Sequence, residues 1–487
     1  MKRWSVPLVI LLVLVFLVTG CGTTTTAPTT SKSPAATTAA KSPTATTPAK
    51  LTPKYGGTFK YIDTIGPANS IGWMADPAVR VMGMYTSPSF EALLAGDPNG
   101  KITGCLAESY EVAPDLKSIT LKIRKGIKFQ DGSDMTGAVV KWNFDVLIDA
   151  KLANLIDFAS VDLIDDYTIK INLKNYSNTI LSDLTTNWIV SKAAFDKSGA
   201  EFLRWNPVGT GPFKFDSFKR DAYIKFTKFD GYWQKGKPYL DAIECDFVND
   251  AVTRATAFLS GQVDAEGGAM GQQEADMVQK GFRVEKTYDG ALALVPDSKN
   301  PDSPFANIKV RQALDYAIDR DAIVKARGFG FWLAVSQYAM PGTYSWVNNL
   351  PVRTYNPTKA KQLLAEAGFP NGFDMTIYSN TDKETRVAIQ GYLKDVGINV
   401  KLEETTMSSF ANLSLNGWKN GCLISPCTFG ANHNKMFSYN LSQSSSQFKS
   451  MYKPDDIEQM YLQARATKEI DPALTQNGSG PFLITLR

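Results

Sequence analysis

An α/β fold is predicted by three features of the chain: period-two strand patterns, helices with their own start and stop signals, and a body of over 400 residues from Lys54 onward, long enough for two or three lobes. In "SITLKIRKGIKF", Ile119, Leu121 and Ile123 alternate with Thr120, Lys122 and Arg124, the pattern of a half-buried strand. "TIKINL" repeats it with Ile169, Ile171 and Leu173. "NIKVRQALDYAIDRDAIV" places Val310, Ala313, Leu314, Ala317 and Ile318 at helical spacing. "YNPTKAKQLLAEAGF" is a complete helix signal: Asn356 caps, Pro357 takes the first helical position, Ala360, Leu363, Leu364 and Ala367 share a face, and Gly368 stops it. At "DMTGAVVKWNF", Thr136 caps a further helix, but Gly137, Ala138 and Val139 supply no acid for the reciprocal half of a capping box, so a frayed start is expected.

Ahead of this body stand two segments of another kind. Lys2 and Arg3 precede an apolar stretch from Val6 to Val18, too short to span a bilayer, which takes roughly 20 residues, and suited to an export signal over residues 1–20. The order Val18, Thr19, Gly20, Cys21 resembles a lipobox, in which the cysteine sulfur carries diacylglycerol and becomes the mature first residue. Cys21 is therefore the expected lipid attachment, since acyl chains at roughly 0.8 kcal/mol per buried methylene hold a domain on a membrane without a spanning helix. From Gly22 to Pro53 the chain is almost entirely Thr, Ala, Ser, Lys and Pro, with no acid and Leu51 its single large apolar residue, so residues 21–53 read as the anchor cysteine and a disordered tether.

Composition and motifs exclude more than they name. A net charge of +4, with Lys and Arg spread among acids, gives no nucleic-acid footprint. There is no phosphate loop and no nucleophile elbow, and Gly209 and Gly211 in "GTGPF" lack the third glycine of a dinucleotide fingerprint, so they read as backbone geometry. The sole histidine, His433, stands in the polar "GANHNKM" and reads as a surface loop residue, leaving a triad nothing to rest on. Asp165-Asp166 and Asp455-Asp456 are adjacent pairs that mark turns. No catalytic residue, no metal site and no cofactor is expected. Cys422 and Cys427 are spaced to brace a short loop by a disulfide, while Cys105 and Cys245 either pair or stay as buried thiols.

Five segments in order carry a family resemblance: "SFEALLAGDPNGKITGCLAESYEVAPDLKSITLKIRKGIKFQDGSDMT", "NPVGTGPFKF", "FDGYWQKGKPYLDAIECDFVNDAVTRATAFLSGQVD", "VRQALDYAIDRDAIV" and "NPTKAKQLLAEAGFPNGF". Together, from about Tyr55 to Asp471, they resemble the extracellular solute-binding proteins of family 5, the oligopeptide, dipeptide and nickel receptors of ABC importers. The resemblance implies a two-lobed periplasmic-binding-protein fold (type II, cluster C-like), with lobe 1 over 54–295 including an extra subdomain at about 90–204, and lobe 2 over 296–471. Residues 472–487, "LTQNGSGPFLITLR" with its two leading residues, are atypical where the family continues, and a shortened ending is expected.

What the resemblance implies for function is capture of a small-molecule or peptide solute between hinged lobes by a monomer anchored outside the cytoplasm, in the periplasm or at the cell surface. The solute would pass to permease and ATPase subunits on other chains, with no enzymatic step. A sensory or adhesion lipoprotein of the same fold, or a shortened copy that binds nothing, is the alternative. By resemblance Trp418 is the expected cleft aromatic, with Tyr85 and Trp73 as further candidates. In peptide-binding relatives an aspartate follows a Gly-Trp by three residues; taking Gly417-Trp418 as that pair puts Gly421 there and points to a solute other than a free-amine peptide: an oligosaccharide, a blocked peptide or an organic metal chelate. Glu108 and Asp131 are read as turn and interlobe hydrogen-bonding partners.

Overall fold

The computed structural model describes residues 52–470 except 68–69, 77–82, 98–100, 153–154, 269–270, 286–289, 351, 381 and 429–432. The export signal, Cys21, all but the end of the tether and the residues after 470 lie outside the described residues. No helix among the described residues is long and apolar enough to cross a membrane.

The first lobe is built on strand β1 (Thr58–Asp63), with two smaller sheets inserted after it. β2 (Leu94–Gly96) pairs with β3 (Ile102–Gly104). β4 (Ala107–Val112), β5 (Ser118–Ile123), β6 (Phe158–Asp165) and β7 (Thr168–Leu173) form an antiparallel sheet in the order β4-β5-β7-β6. The period-two reading holds here: Ile119, Leu121, Ile123, Ile169 and Ile171 are buried against Phe144 and Leu147 of the helix Gly137–Asp149. Thr136 caps that helix as read, its Oγ1 accepting from the Val139 amide at a long 3.5 Å.

The chain then returns to β1's sheet through β8 (Phe213–Lys219), β9 (Tyr223–Lys228), β10 (Ala242–Phe247) and β11 (Ala265–Glu266). The sheet runs β11-β1-β10-β9-β8, with β1 parallel to both β10 and β11. Gly209 and Gly211 seat the "GTGPF" loop by close approach, since a Cβ on either would lie 2.1 Å from the Ser89 carbonyl oxygen or 2.5 Å from that of Pro88. Asp131 makes its turn by bonding Ser133 and Ser191, both in its own lobe, and Glu108 is exposed on β4, so neither serves the interlobe role expected of it.

The second lobe begins with β12 (Gly290–Pro296), so the boundary expected at 295/296 falls inside a strand. β12 pairs antiparallel with β15 (Gly421–Thr428), which runs parallel to β13 (Asp374–Ser379), itself parallel to β14 (Asn399–Glu404). Helices Ile308–Ala317, Pro357–Glu366 and Lys383–Asp395 cover this sheet, burying Val310, Ala313, Leu364 and Leu393 against Ile377 and Cys422. The helical pattern read through "NIKVRQALDYAIDRDAIV" is interrupted at Ile318, because Asp319 caps a new helix, Arg320–Gly328, by accepting from the Ala322 amide. Asn356, Pro357 and Gly368 act as read, Gly368 with φ of +93°.

The lobes meet where the helices His433–Asn440 and Asp455–Ala466 reach the extra subdomain. Arg465 bonds Asp157 Oδ2 at 2.7 Å and Ser177 Oγ at 3.2 Å. Asn178 donates to the carbonyl of Ala464 at 2.7 Å and accepts from Asn434 at 3.1 Å. Lys435 lies 2.8 Å from Asp183 Oδ1, and Tyr176 donates to the Lys468 carbonyl at 2.7 Å.

Candidate functional site

In open α/β sheets, ligands sit outside the carboxyl ends of the parallel strands, where helix N-termini and loops converge. Here those ends are Asp63, Phe247 and Glu266 in the first lobe and Ser379, Glu404 and Thr428 in the second.

At the first set, Asp63 accepts the hydroxyls of Tyr61 at 2.8 Å and Tyr85 at 2.7 Å and the Thr64 amide at 2.6 Å. Burial, followed by the bond to the Asp63 carboxylate, pushes both phenols well above their ordinary range, so they stay protonated donors. Beside them Arg254 is buried and gives Nη1 to the carbonyls of Val248 at 2.8 Å and Asn249 at 2.7 Å. Its Nε lies 3.6 Å from Glu266, whose Oε1 also accepts from Gln273 at 2.7 Å. Glu266 Oε2 is buried without a partner among the described residues, and burial raises that carboxyl's pKa.

At the second set, the Ser379 carbonyl accepts the Thr405 amide at 3.0 Å and Arg386 Nη1 at 3.5 Å. Arg386 is 3 % exposed and stands in the first turn of the helix Lys383–Asp395, on the face it shares with Ile389 and Leu393. Asp382 caps that helix and binds Arg327 Nη2 at 3.1 Å. Arg327 Nε, Arg386 Nε and Thr405 Oγ1 are all buried without a hydrogen-bond partner among the described residues. Buried unpartnered polar atoms are rare in native folds, and most of those among the described residues stand near the strand ends of the two sheets.

Of the residues the sequence singled out, Tyr85 stands in this region, with its ring buried and its hydroxyl committed to Asp63. Trp73 instead stacks on Phe195 at 5.1 Å between ring centroids, against the extra subdomain's core. Trp418 is 3 % exposed, packs with Tyr338, Phe437 and Met451, and donates Nε1 to the Gly421 carbonyl at 3.2 Å, so it is a core side chain. Gly421 opens β15 at its amino end, with its amide on the buried Asp297 and any Cβ 1.8 Å from the Thr376 oxygen. Gly417-Trp418 thus stands at the opposite end of the strand from the carboxyl ends, and Gly421 carries no information about the solute's amine.

Cys422 and Cys427 are free and buried. Five residues apart along one strand, they face opposite sides, Cys422 into the helix-covered core and Cys427 toward Phe437, beyond disulfide reach. His433 is also a correction: it is buried, its amide bonds Tyr344 OH at 2.8 Å, and its ring packs on Tyr338 and Phe437. Burial holds its pKa down at about 4, partly countered by its bond to the Tyr338 backbone. No cluster of metal-ligating side chains occurs among the described residues.

Sequence reasoning missed Arg386, although an arginine at core-facing spacing with Ile389 and Leu393 is itself a signal. It also missed Glu266.

The model of the bacterial extracellular solute-binding proteins, family 5 Middle, matches residues 101–449. The chain belongs to this family. Among family 5 relatives, the glutathione-binding protein GsiB of Escherichia coli K12 is 35% identical over 325 residues, 64% of this chain and 63% of that protein. The chain's match therefore spans just under two thirds of the length of such curated relatives. Among solved structures, the periplasmic binding protein DppA of Helicobacter pylori, in complex with the peptide STSA, has a TM-score of 0.75 at 22% identity, covering 88% of this chain and 91% of that one. The Agrobacterium binding protein AgaA, in complex with agropinic acid, has a TM-score of 0.70 at 26% identity and covers 88% and 90%. The two-lobed family 5 fold expected from the sequence is thus shown.

Proposed function

We propose that the chain is the solute receptor of an ABC importer: it captures a peptide-like or other small organic molecule between its lobes and delivers it unaltered to permease and ATPase subunits on other chains. The observation that carries this reading is the gathering of buried, unpartnered polar atoms at the strand ends of both lobes in a family 5 fold: Glu266 on one side, Arg386 and Thr405 on the other. Such groups cost free energy in an empty site and repay it when a solute supplies their partners. Glutathione and agropinic acid, the ligands named for GsiB and AgaA, are polar organic acids, and they set the size class of the solutes to try first. The role needs no catalytic group, and Asp63, Arg254 and Asp382 position the neighbouring tyrosines, Glu266 and Arg327.

The same reading includes a lipid on Cys21 holding a monomer outside the cytoplasm. The test is calorimetry of the purified protein against glutathione, short peptides, opines and oligosaccharides, with X-ray scattering to follow lobe closure and intact mass spectrometry of membrane-extracted protein to read the thioether lipid. Binding without closure, or a mature chain without the lipid mass, contradicts the corresponding part of the reading.

A further inference from the structure

We propose that Arg386, together with the Thr405 hydroxyl, anchors a carboxylate of the solute at the carboxyl end of the second lobe's sheet; this rests on the receptor reading and names the chemical class it selects. A guanidinium that is structural in this fold is well served. Arg311 gives Nη1 to the carbonyls of Phe305 at 2.7 Å and Ala306 at 3.0 Å, and Arg254, although its Nε is likewise without a hydrogen-bond partner, has two carbonyls at 2.8 and 2.7 Å and the Glu266 carboxylate at 3.6 Å. Arg386 is as deeply buried as these, yet its one side-chain bond among the described residues is 3.5 Å long, its Nε has no partner, and no carboxylate there pairs with it. An isolated buried cation is costly, and the cost grows in the first turn of a helix, whose positive dipole end repels it.

The neighbouring charges are already spent. Arg327 takes Asp382 at 3.1 Å and Glu384 at 3.3 Å, and Asp382 further accepts the Thr385 amide at 3.4 Å and its hydroxyl. Besides Arg327 Nε, what remains uncommitted is Arg386 and, on the same Ser379 carbonyl through its own amide, Thr405 with a buried, unpartnered Oγ1. One planar oxyanion would answer all of these at once: it pairs with the guanidinium, accepts the hydroxyl proton and lies at a helix N-terminus that favours negative charge. A neutral solute leaves the cation unpaired.

The probes are glutathione and trialanine as free acids and as their carboxamides, measured by calorimetry on the intact mature protein. The expected result is that the acids bind at least about 30-fold more tightly than the amides, that Arg386→Gln removes this preference, and that Thr405→Val weakens the acids about 3- to 10-fold. Should Arg386→Gln fail to fold, Arg386→Lys and Thr405→Val read the same preference, with thermal melts verifying the fold. Equal binding of acid and amide, or an acid preference that survives Arg386→Gln, overturns the anchor. Binding of neutral oligosaccharides or amides alone overturns the anchor and leaves the receptor reading standing. Absence of binding and of lobe closure with every solute overturns both.

Discussion

Arg465 and Arg386 are two guanidinium groups on the second lobe, one at the seam with the first lobe and one at the strand ends, and their surroundings differ in kind. Arg465 has Asp157, Ser177 and the Tyr461 hydroxyl, and its helix also presents the Ala464 carbonyl to Asn178. Lys435, on the helix before, has Asp183 and Thr186. Arg386 has one long bond. A paired polar seam stabilises one arrangement of the lobes, whereas a more deeply buried set that lacks partners stores a cost that only a missing partner relieves. The contrast separates groups that hold the molecule together from groups that wait for something.

The largest effect is expected from His433, which opens the helix that carries Asn434 and Lys435 to the seam. Its folded pKa, at about 4, lies below the unfolded value near 6.5. The unfolded chain therefore binds the proton first, and the stabilisation is fully present above about pH 6.5 and lost as pH falls toward about 4, a total of about 3 kcal/mol. Denaturant melts of wild type minus His433→Leu isolate this slope from the carboxylates that titrate in the same window. A flat difference curve places the imidazole in water and removes it from the seam's support.

Asn178→Ala comes next. It leaves the Ala464 carbonyl and the Asn434 amide short of a partner in a buried site and should cost about 2 kcal/mol. Arg465→Ala should cost about 1 kcal/mol, less than a fully buried pair, because both it and Asp157 keep roughly a fifth of their side chains exposed. Both losses should appear together with a faster release of bound solute, since the seam is made between the lobes. Unchanged release rates with lowered melting temperatures would mean that the seam braces the fold without governing closure.

The sequence made regular elements visible where a single period dominates. β5 and β7 have one buried face each, so the alternation of Ile119, Leu121 and Ile123 with polar neighbours is forced. The Asn356 helix was legible through its caps. The second lobe's last strand was not. Pro426 between Cys422 and Cys427 looks like a loop signal, yet β15 pairs with β13 only through Leu423, and beyond that point it has β12 alone, so the side without a partner tolerates a residue lacking its N–H. Taking the stretch as a loop brought the two cysteines together; as a strand it sends the thiols to opposite faces and leaves Trp418, expected in the cleft by resemblance, at its amino end. The site was hidden for a related reason. Arg386 carries meaning only through what it lacks, and a missing partner is a property of the packed lobe.

The smallest effect is the sharpest test of the comparison. Arg386→Met replaces a buried cation with an apolar chain of similar length, and Thr405→Val removes a buried hydroxyl at nearly constant shape. If both groups wait for a partner, the solute-free protein gives up almost nothing: a change within about 1 kcal/mol in either direction, with a small gain for Arg386→Met, because a charge that is poorly paired costs more to bury than the methylenes that replace it. The same substitutions at the seam cannot behave this way, since Arg465 leaves Asp157 behind. Thermal melts without and with a saturating acid solute make the distinction, as wild type should gain stability from the solute and Arg386→Met should not. A loss of several kcal/mol in the solute-free Arg386→Met protein would mean that the guanidinium already has its partners in the folded lobe, and the distinction between waiting and holding groups would end there.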